Sequence, residues 1–589
     1  MTVEMEAYAT HLLKVPRDQW RKSARQVCLV APVPVEPVIE GAPVGDDDAY
    51  VMNADDLTRP TEGLHVVGNV IDNVQTYANT NANMKEAIAK RIEPAMERRK
   101  RGLNNLDRKV GHAYRRFGTY LTRELIHKHA DELFSLDNMV SRKWSPGRTS
   151  KAMSDLAEVY DFDVLSKDYT GFIKREASDI RKGKPRIIQN LGDVRQLASL
   201  AVIAVMEHAV FDIMQHHSIK YQPKETRLRE WTVDAEERVV NGVYIEGDGT
   251  CFDAHVHTHI LQHEEELMLI VLGHLQGYAF EVPLEWASKE IAANPRDYKL
   301  SCKEVGFGRE VRRYCKKLRA QRRSGERWTS LCNYLVNLTH WTAVLAHNVT
   351  GTMDSIIAGS PTYKRVQNDE DRHFEFIFEG DDSLVRLPRD GLTVDEIQNI
   401  EEGWGLLGFD FKMQSSVNGP KILEFCGMHA YTAGDTIADH RDPVIGDAPL
   451  WWPDIKRTLK GCNYLKSRPV GCPHYAASTM LKARSTATRG LGPVHTYIST
   501  LAEYHTRQMT VTSQLDAGVA RESTFMCIEK DDEMSDEYHT QCFRQYVACS
   551  AMGLDRAPQI DQVLENALTS GVATVVSDPT REAISAWLQ

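Results

Sequence analysis

Apolar and polar residues alternate in two stretches near the middle of the chain, and each alternation predicts a half-buried strand. In the first, Val243 and Ile245 stand between polar neighbours and lead to Asp248 at the strand's end. In the second, Phe374, Phe376 and Phe378 fall on one face; a two-residue Gly-Asp loop follows, and a second apolar strand returns through Leu384 and Val385. Gly-Asp suits a tight hairpin, so Asp381 and Asp382 are carried to its tip. Between these strands the period changes to that of a helix. Leu331, Leu335, Leu338, Trp341 or Thr342, and Leu345 share one face, so a helix should open after the Ser324-Gly325 loop. Thr393 and Glu396 form a capping box for a helix ending near Gly405, and Phe409 to Lys412 reads as a strand.

The flanking regions read more coarsely. Residues 81–141 look helical with basic faces, and residues 191–215 look like one long apolar helix. A helix should also start near Ala254, just after the Asp248 strand. Up to about Ile71, the run Ala31-Pro-Val-Pro-Val-Glu-Pro-Val disfavours helix and suits an extended segment. Beyond about Val444 the chain reads as mostly helical.

The chemistry concentrates where the strands end. Clustered carboxylates bind Mg²⁺ that also takes oxygens from substrate phosphates. Asp248 at one strand end, Asp253 five residues later and the Asp381-Asp382 pair on a hairpin make a two-metal site geometrically possible. Thr329 and Asn333 are four apart and share a helix face, where a hydroxyl and an amide can read a ribose hydroxyl. Ser324 alone reads better as an ordinary helix cap.

Taken in order, Asp-x4-Asp, Ser-Gly-x3-Thr-x3-Asn and Gly-Asp-Asp resemble motifs A, B and C of viral RNA-dependent RNA polymerases. The Asp248 segment, ending Phe-Asp-Ala-His, is most similar to the tombusvirus- and nodavirus-like positive-strand group. Lys184-Pro-Arg186 resembles motif F, Leu423-Glu-Phe-Cys426-Gly resembles motif E, and Lys412 stands where motif D has its lysine. Five motifs in order carry more weight than any one of them.

The resemblance implies an α+β right-hand fold, with an antiparallel palm sheet flanked by helices. It divides the chain into an N-terminal extension at 1–80 that bridges fingers and thumb, fingers at 81–238, palm at 239–265, a fingers insertion at 266–322, palm again at 323–443 and a mostly helical thumb at 444–589. It implies template-directed RNA synthesis from NTPs with two Mg²⁺ ions, for which Mn²⁺ can substitute. Asp248 and Asp381 would hold the ions, with Asp382 as a secondary ligand. Lys184, Arg186 and Arg175 would neutralise the triphosphate, and Lys412 would protonate the leaving pyrophosphate. Asp253, Thr329 and Asn333 would read the ribose, and Ser324 and Gly325 would let the loop approach the template. A bulky thumb accompanies primer-independent initiation in related polymerases.

Charge refines this expectation. Lys and Arg number 71 against 82 Asp and Glu, a formal net charge of −11. RNA feels the local groove more than the sum. One basic stretch runs from Arg98 to Arg101 and on to Arg116. A second includes Arg312, Arg313, Lys316, Lys317, Arg322 and Arg323 and leads into the Ser324 loop, which favours an RNA channel over a solvated helix face. Acidic runs at Asp46–Asp48, Glu264–Glu266 and Asp531–Glu533 should lie outside it. His255, His257, His259 and His263 are not spaced to converge on zinc. The cysteines read as reduced thiols. Neither a transmembrane run nor a signal-peptide pattern is visible. The expected partners are a single-stranded RNA template, the nascent duplex, NTPs, and other viral replication proteins or a membrane-anchoring partner. The expected location is the host cytoplasm at membrane-associated replication sites, or the virion. Two other functions compete. A reverse transcriptase normally places a bulky aromatic where Asp253 stands, and a catalytically silent RNA-binding scaffold would not need every carboxylate.

Overall fold

The computed structural model describes residues 79–99, 102–133, 146–159, 168–174, 184–280, 282–305, 311–364, 370–390, 392–437 and 450–454. It also describes Tyr77, Met139, Phe162 and short strand pieces at 49–52, 65–66, 74–75, 178–179 and 464–465. Arg175 and all of 1–48 and 466–589, with the acidic runs at 46–48 and 531–533, lie outside the described residues.

The two alternating stretches meet in one four-stranded sheet. Its order is Glu375–Glu379, Asp382–Pro388, Gly242–Gly249 and Phe411–Ser415, with every neighbour antiparallel. Period-two alternation sends Ile245, Phe376, Phe378, Val385 and Phe411 into the largest core. Tyr244, Ile377 and Leu384 point the other way, into a second core with Trp231 and Trp451. Both faces are therefore covered, which explains the nearly continuous apolar character of these strands. The rings of Phe376 and Phe378 stack at 4.4 Å between centroids. A Cβ on Gly247 would lie 2.4 Å from the Phe411 ring, so only glycine fits in the strand there.

The helix Thr329–Leu345 lies against the larger core and is buried at every position from Leu331 to Ala343. A helix enclosed on all sides must satisfy its polar side chains internally. Thr339 Oγ1 donates to Leu335 O at 2.8 Å and Thr342 Oγ1 to Leu338 O at 2.7 Å. His340 stacks on Trp404. That leaves Asn333 and Asn337, whose partners define the site below.

A second sheet has five strands, in the order Ala49–Met52, Val311–Leu318, Tyr298–Val305, Tyr169–Ile173 and Ile187–Asn190. A third holds Lys421–Phe425, Met428–Ala433, Thr436–Ile437 and Trp452–Pro453. The N-terminal region pairs with the five-stranded sheet at Ala49–Met52 and with Tyr464–Leu465 at His65–Val66.

Several predicted elements change on folding. The apolar helix expected over 191–215 is two helices, Asp193–Ala198 and Leu200–Ile213, meeting at the fully buried Ser199. The helix expected from Ala254 is a four-residue turn, Phe252–His255, followed by Thr258–His274. Thr393 does cap Val394–Leu406, its Oγ1 accepting the Glu396 N–H. No helix among the described residues is long and apolar enough to cross a membrane. Cys251, Cys302, Cys315, Cys332 and Cys426 are all free thiols.

Candidate active site

The hairpin turn between Glu379 and Asp382 has Gly380 at φ 59°, while Asp381 keeps a negative φ. Glycine first with positive φ is the pattern of a II′ turn, which matches the twist of the flanking strands. The turn is held from the buried helix: Asn337 Nδ2 donates to Gly380 O at 2.8 Å. Ser330 Oγ donates to Glu379 Oε1 at 3.1 Å, and Lys220 Nζ reaches the same oxygen at 2.7 Å. Ser330, Asn337 and Lys220 were not expected from sequence. Asn337 was findable: Thr329, Asn333 and Asn337 form a polar line at four-residue spacing along the helix.

Asp248 leaves the end of its strand directly opposite Lys412 in antiparallel register, so the two side chains share a face. Asp253 is brought back toward it by Cys251, which adopts the left-handed region at φ 55°. Asn333 Nδ2 then donates to Asp253 Oδ1 at 2.7 Å. Asp248, Asp253 and Asp381 line one cavity of about 460 Å³.

The electrostatics of the cavity follow from this crowding. Asp381 is exposed to the open cavity, where three other carboxylates crowd it. Loss of solvent, then Asp253, Asp382 and Asp248, push its carboxyl up to about 7. Asp248 is also raised, first by desolvation and then by Asp382, with Lys412 opposing. Asp253 is raised by desolvation, against the pull of Asn333, Arg322, Arg186 and Lys174. Among the described residues no ammonium or guanidinium forms an ion pair with Asp248, Asp381 or Asp382. An unneutralised set of hard oxygen donors fits a Mg²⁺-class cation.

The opposite wall is basic. Lys184 and Arg186 are exposed and line the same cavity. Lys174 N donates to Arg186 O at 2.7 Å, at the end of the paired strands Tyr169–Ile173 and Ile187–Asn190. Arg91, from the N-terminal helical region, fixes this segment: its Nη2 donates to Lys184 O and its Nε to Pro185 O, each at 2.9 Å. Arg91 also lines the cavity and was not singled out in the sequence.

Other expected residues sit differently. Gly325 was expected to approach a template; instead it approaches protein, since a Cβ there would lie 2.3 Å from Gln189 O. Ser324 lines the cavity, and its Oγ donates to Ile187 O at 3.0 Å. Thr329 Oγ1 is directed to backbone, with Arg323 O at 2.9 Å and Glu326 O at 3.0 Å. It acts at the start of its helix while Asn333 reaches Asp253.

The second basic stretch divides. Arg312, Arg313, Lys316 and Lys317 lie on the strand Val311–Leu318, outside the cavity's lining. Arg322 and Arg323 are fully buried, which departs from their expected contact with RNA. Arg322 pairs with Glu264, itself fully buried rather than part of a solvated acidic run, and its Nε donates to Asn333 Oδ1 at 3.1 Å. Arg323 donates to Asn294 Oδ1 at 2.7 Å and Glu326 Oε1 at 3.1 Å. The continuous charge in the sequence hid a strand and a buried ion-pair network. In the first basic stretch, Arg116 pairs with Asp354 and Lys109 donates to Ala346 O at 2.7 Å, both structural contacts. His255 Nδ1 lies 2.8 Å from Gly408 O and its ring is held well below its usual range, at about 4, chiefly by burial. It ties the Asp253 turn to the approach of the Lys412 strand.

No protein-family profile matches this chain, and no curated protein is significantly similar to it in sequence. Among solved structures it is similar to the RNA-dependent RNA polymerase of a human picorbirnavirus, with a TM-score of 0.39 and 11% identity, over 64% of this chain and 65% of that one. It is likewise similar to the insertion loop deletion mutant of that polymerase, with a TM-score of 0.38 and 12% identity, over 72% and 64%. The alignment spans less than two thirds of either polymerase, and the assignment of function rests on the site itself.

Proposed function

We propose that this chain is a viral RNA-dependent RNA polymerase that transfers nucleotides from NTPs onto an RNA 3′-hydroxyl under the direction of an RNA template. The observation that carries the proposal is the meeting, in one cavity, of Asp248 and Asp381 on adjoining strand ends, the Asn333–Asp253 pair, and Lys184 and Arg186 on the facing wall. In this reading the four-stranded sheet is the palm, the five-stranded sheet belongs to the fingers, and the C-terminal region is the thumb. The N-terminal segment bridges fingers and thumb. The tombusvirus- and nodavirus-like grouping is part of the same proposal.

Asp248 and Asp381, assisted by Asp382, would hold two Mg²⁺ ions. Such ions lower the pKa of an attacking hydroxyl and stabilise a leaving phosphate oxygen. The chain's own residues do the rest. Arg186 and Lys184 bind and orient the triphosphate, the guanidinium offering paired donors and the ammonium a point charge. Arg175 would share this role. Lys412, across from Asp248, would hand a proton to pyrophosphate.

Asp253 has one oxygen taken by Asn333 and faces the cavity. It would accept from the ribose 2′-hydroxyl, the group that separates RNA precursors from DNA precursors. A deoxyribose would leave this acceptor without a donor in a confined site, and that penalty is the source of selection. A small, hydrogen-bonded Asp253 is also the reason to prefer this function over reverse transcription.

The test is ribonucleotide incorporation on a short single-stranded RNA template, with Mg²⁺ and then Mn²⁺, comparing wild type with Asp381→Ala. Template-dependent product that disappears in Asp381→Ala is expected. Folded wild-type protein that binds RNA yet makes no product with either metal would sink the proposal and favour a silent RNA-binding scaffold.

A further inference from the structure

We propose that His129, Glu132 and His208 form a second metal site, of the zinc class, that joins two helices outside the carboxylate cavity. His129 and Glu132 are three apart on the helix Arg123–Glu132 and share its face. His208 comes from the neighbouring helix Leu200–Ile213. One ligating atom from each of the three lies within 4.8 Å of the others.

The histidine is already oriented as a ligand. His129 is nearly buried, and its Nε2 lies 3.1 Å from Asp212 Oδ2. Lys128 Nζ holds the same Asp212 oxygen at 2.8 Å. With Nε2–H donating to Asp212, the lone pair of His129 is at Nδ1. Metal-bound histidines commonly donate their second nitrogen to a carboxylate in this way.

His129 Nδ1 faces Glu132 Oε2 at 3.2 Å. In that tautomer neither atom carries a hydrogen, so the two lone pairs oppose each other unless a cation lies between them. Two ligands of a tetrahedral zinc, with bonds of about 2.0–2.1 Å, stand about 3.3 Å apart. The observed spacing already suits the ion. Glu132 is more than half exposed and His208 half-buried, so the site opens to solvent. Three protein ligands leave a position for water. Two imidazoles and a carboxylate select zinc-like ions over Mg²⁺, which favours oxygen ligands. The other tight cluster, Glu424, His429 and Asp454, offers a single imidazole.

The alternative occupant of the same geometry is a proton, giving an imidazolium between Glu132 and Asp212. Equilibrium dialysis against zinc with excess Mg²⁺, using full-length wild type, His208→Gln, Glu132→Gln and Asp381→Ala, separates the two. Wild type and Asp381→Ala should each retain one zinc per chain and melt at higher temperature when it is present. His208→Gln and Glu132→Gln, altered at the solvent-facing side, should bind it at least about tenfold more weakly and lose the melting shift. Zinc uptake that is absent in wild type, undiminished in His208→Gln and Glu132→Gln, or lost only in Asp381→Ala overturns the site.

Discussion

Asn333 donates through Nδ2 to Asp253 at 2.7 Å, and its Oδ1 accepts from Arg322 Nε at 3.1 Å. The two contacts fix which end of the amide faces the cavity, because Arg322 can only donate. Arg322 is itself anchored by Glu264, so a chain of buried groups sets the position of Asp253. The orientation of Asp253 thus depends on buried residues brought in from distant parts of the chain.

Breaking that chain at Asn333 should alter selection before it alters stability. Asn333→Asp places a second carboxylate against Asp253, which raises the energy of the ionised pair and withdraws the acceptor from the ribose. The ratio of kcat/KM for a ribonucleotide over its deoxy counterpart should fall by roughly tenfold or more. An unchanged ratio would remove Asp253 and Asn333 from ribose recognition.

Removing Arg322 should be costly to the fold. Arg322→Met leaves Glu264 buried without its partner, a change that costs about 3–5 kcal/mol in comparable buried pairs. The double variant Arg322→Met, Glu264→Gln should recover much of this, whereas Lys317→Ala on the exposed strand should be close to neutral. Urea unfolding midpoints decide the matter; equal losses in all three variants would contradict the assignment.

Gly325→Ala should destabilise as well, because the new methyl meets backbone rather than a flexible side chain, 2.3 Å from Gln189 O. Such overpacking costs about 1–3 kcal/mol. The displaced loop carries Ser324 away from Ile187 O, so synthesis should fall with stability. A variant as stable as wild type would show that the loop does not rest on this strand.

Without metal the protein should grow more stable as the solution is acidified from about pH 8 to about pH 6. Asp381 has a folded carboxyl near 7 against an ordinary value of 3.8, so the folded state binds its proton more tightly than the unfolded state. Stability from this group is lost as pH rises from about 4 through about 7. Glu246, raised to about 8 chiefly by burial, Glu290 and Glu375 share the sign. Asp381→Asn should therefore flatten the melting-temperature profile without abolishing its slope, and Mg²⁺ should flatten the wild-type profile too. A variant that tracks the wild-type profile would show that Asp381 does not titrate in this range.

Much of this architecture was legible in the chain. The phenylalanine alternation and the glycine of the turn were enough to place a hairpin with Asp381 at its tip, since both are local preferences of the backbone. The helix from Thr329 was legible for the same reason, through its repeating apolar face. The basic run before Ser324 misled because charge reports composition, while burial depends on partners such as Glu264 and Asn294 far away in the chain. Ser199 likewise divides a helix whose periodicity is unbroken.

The sequence by itself determined which residues could form strands, turns and helices near the site, and it put Asp248, Asp253, Asp381, Lys184 and Arg186 forward as a set. Local periodicity and turn geometry act over a few residues, so they survive in one dimension. Tertiary structure alone decided that Lys412 lies opposite Asp248, that Asn337 holds Gly380, that Arg91 braces the basic wall, and that His129 meets His208. Those pairings join segments separated by tens to hundreds of residues, and only sheet register and the packing of two cores bring them within hydrogen-bond or ligand distance.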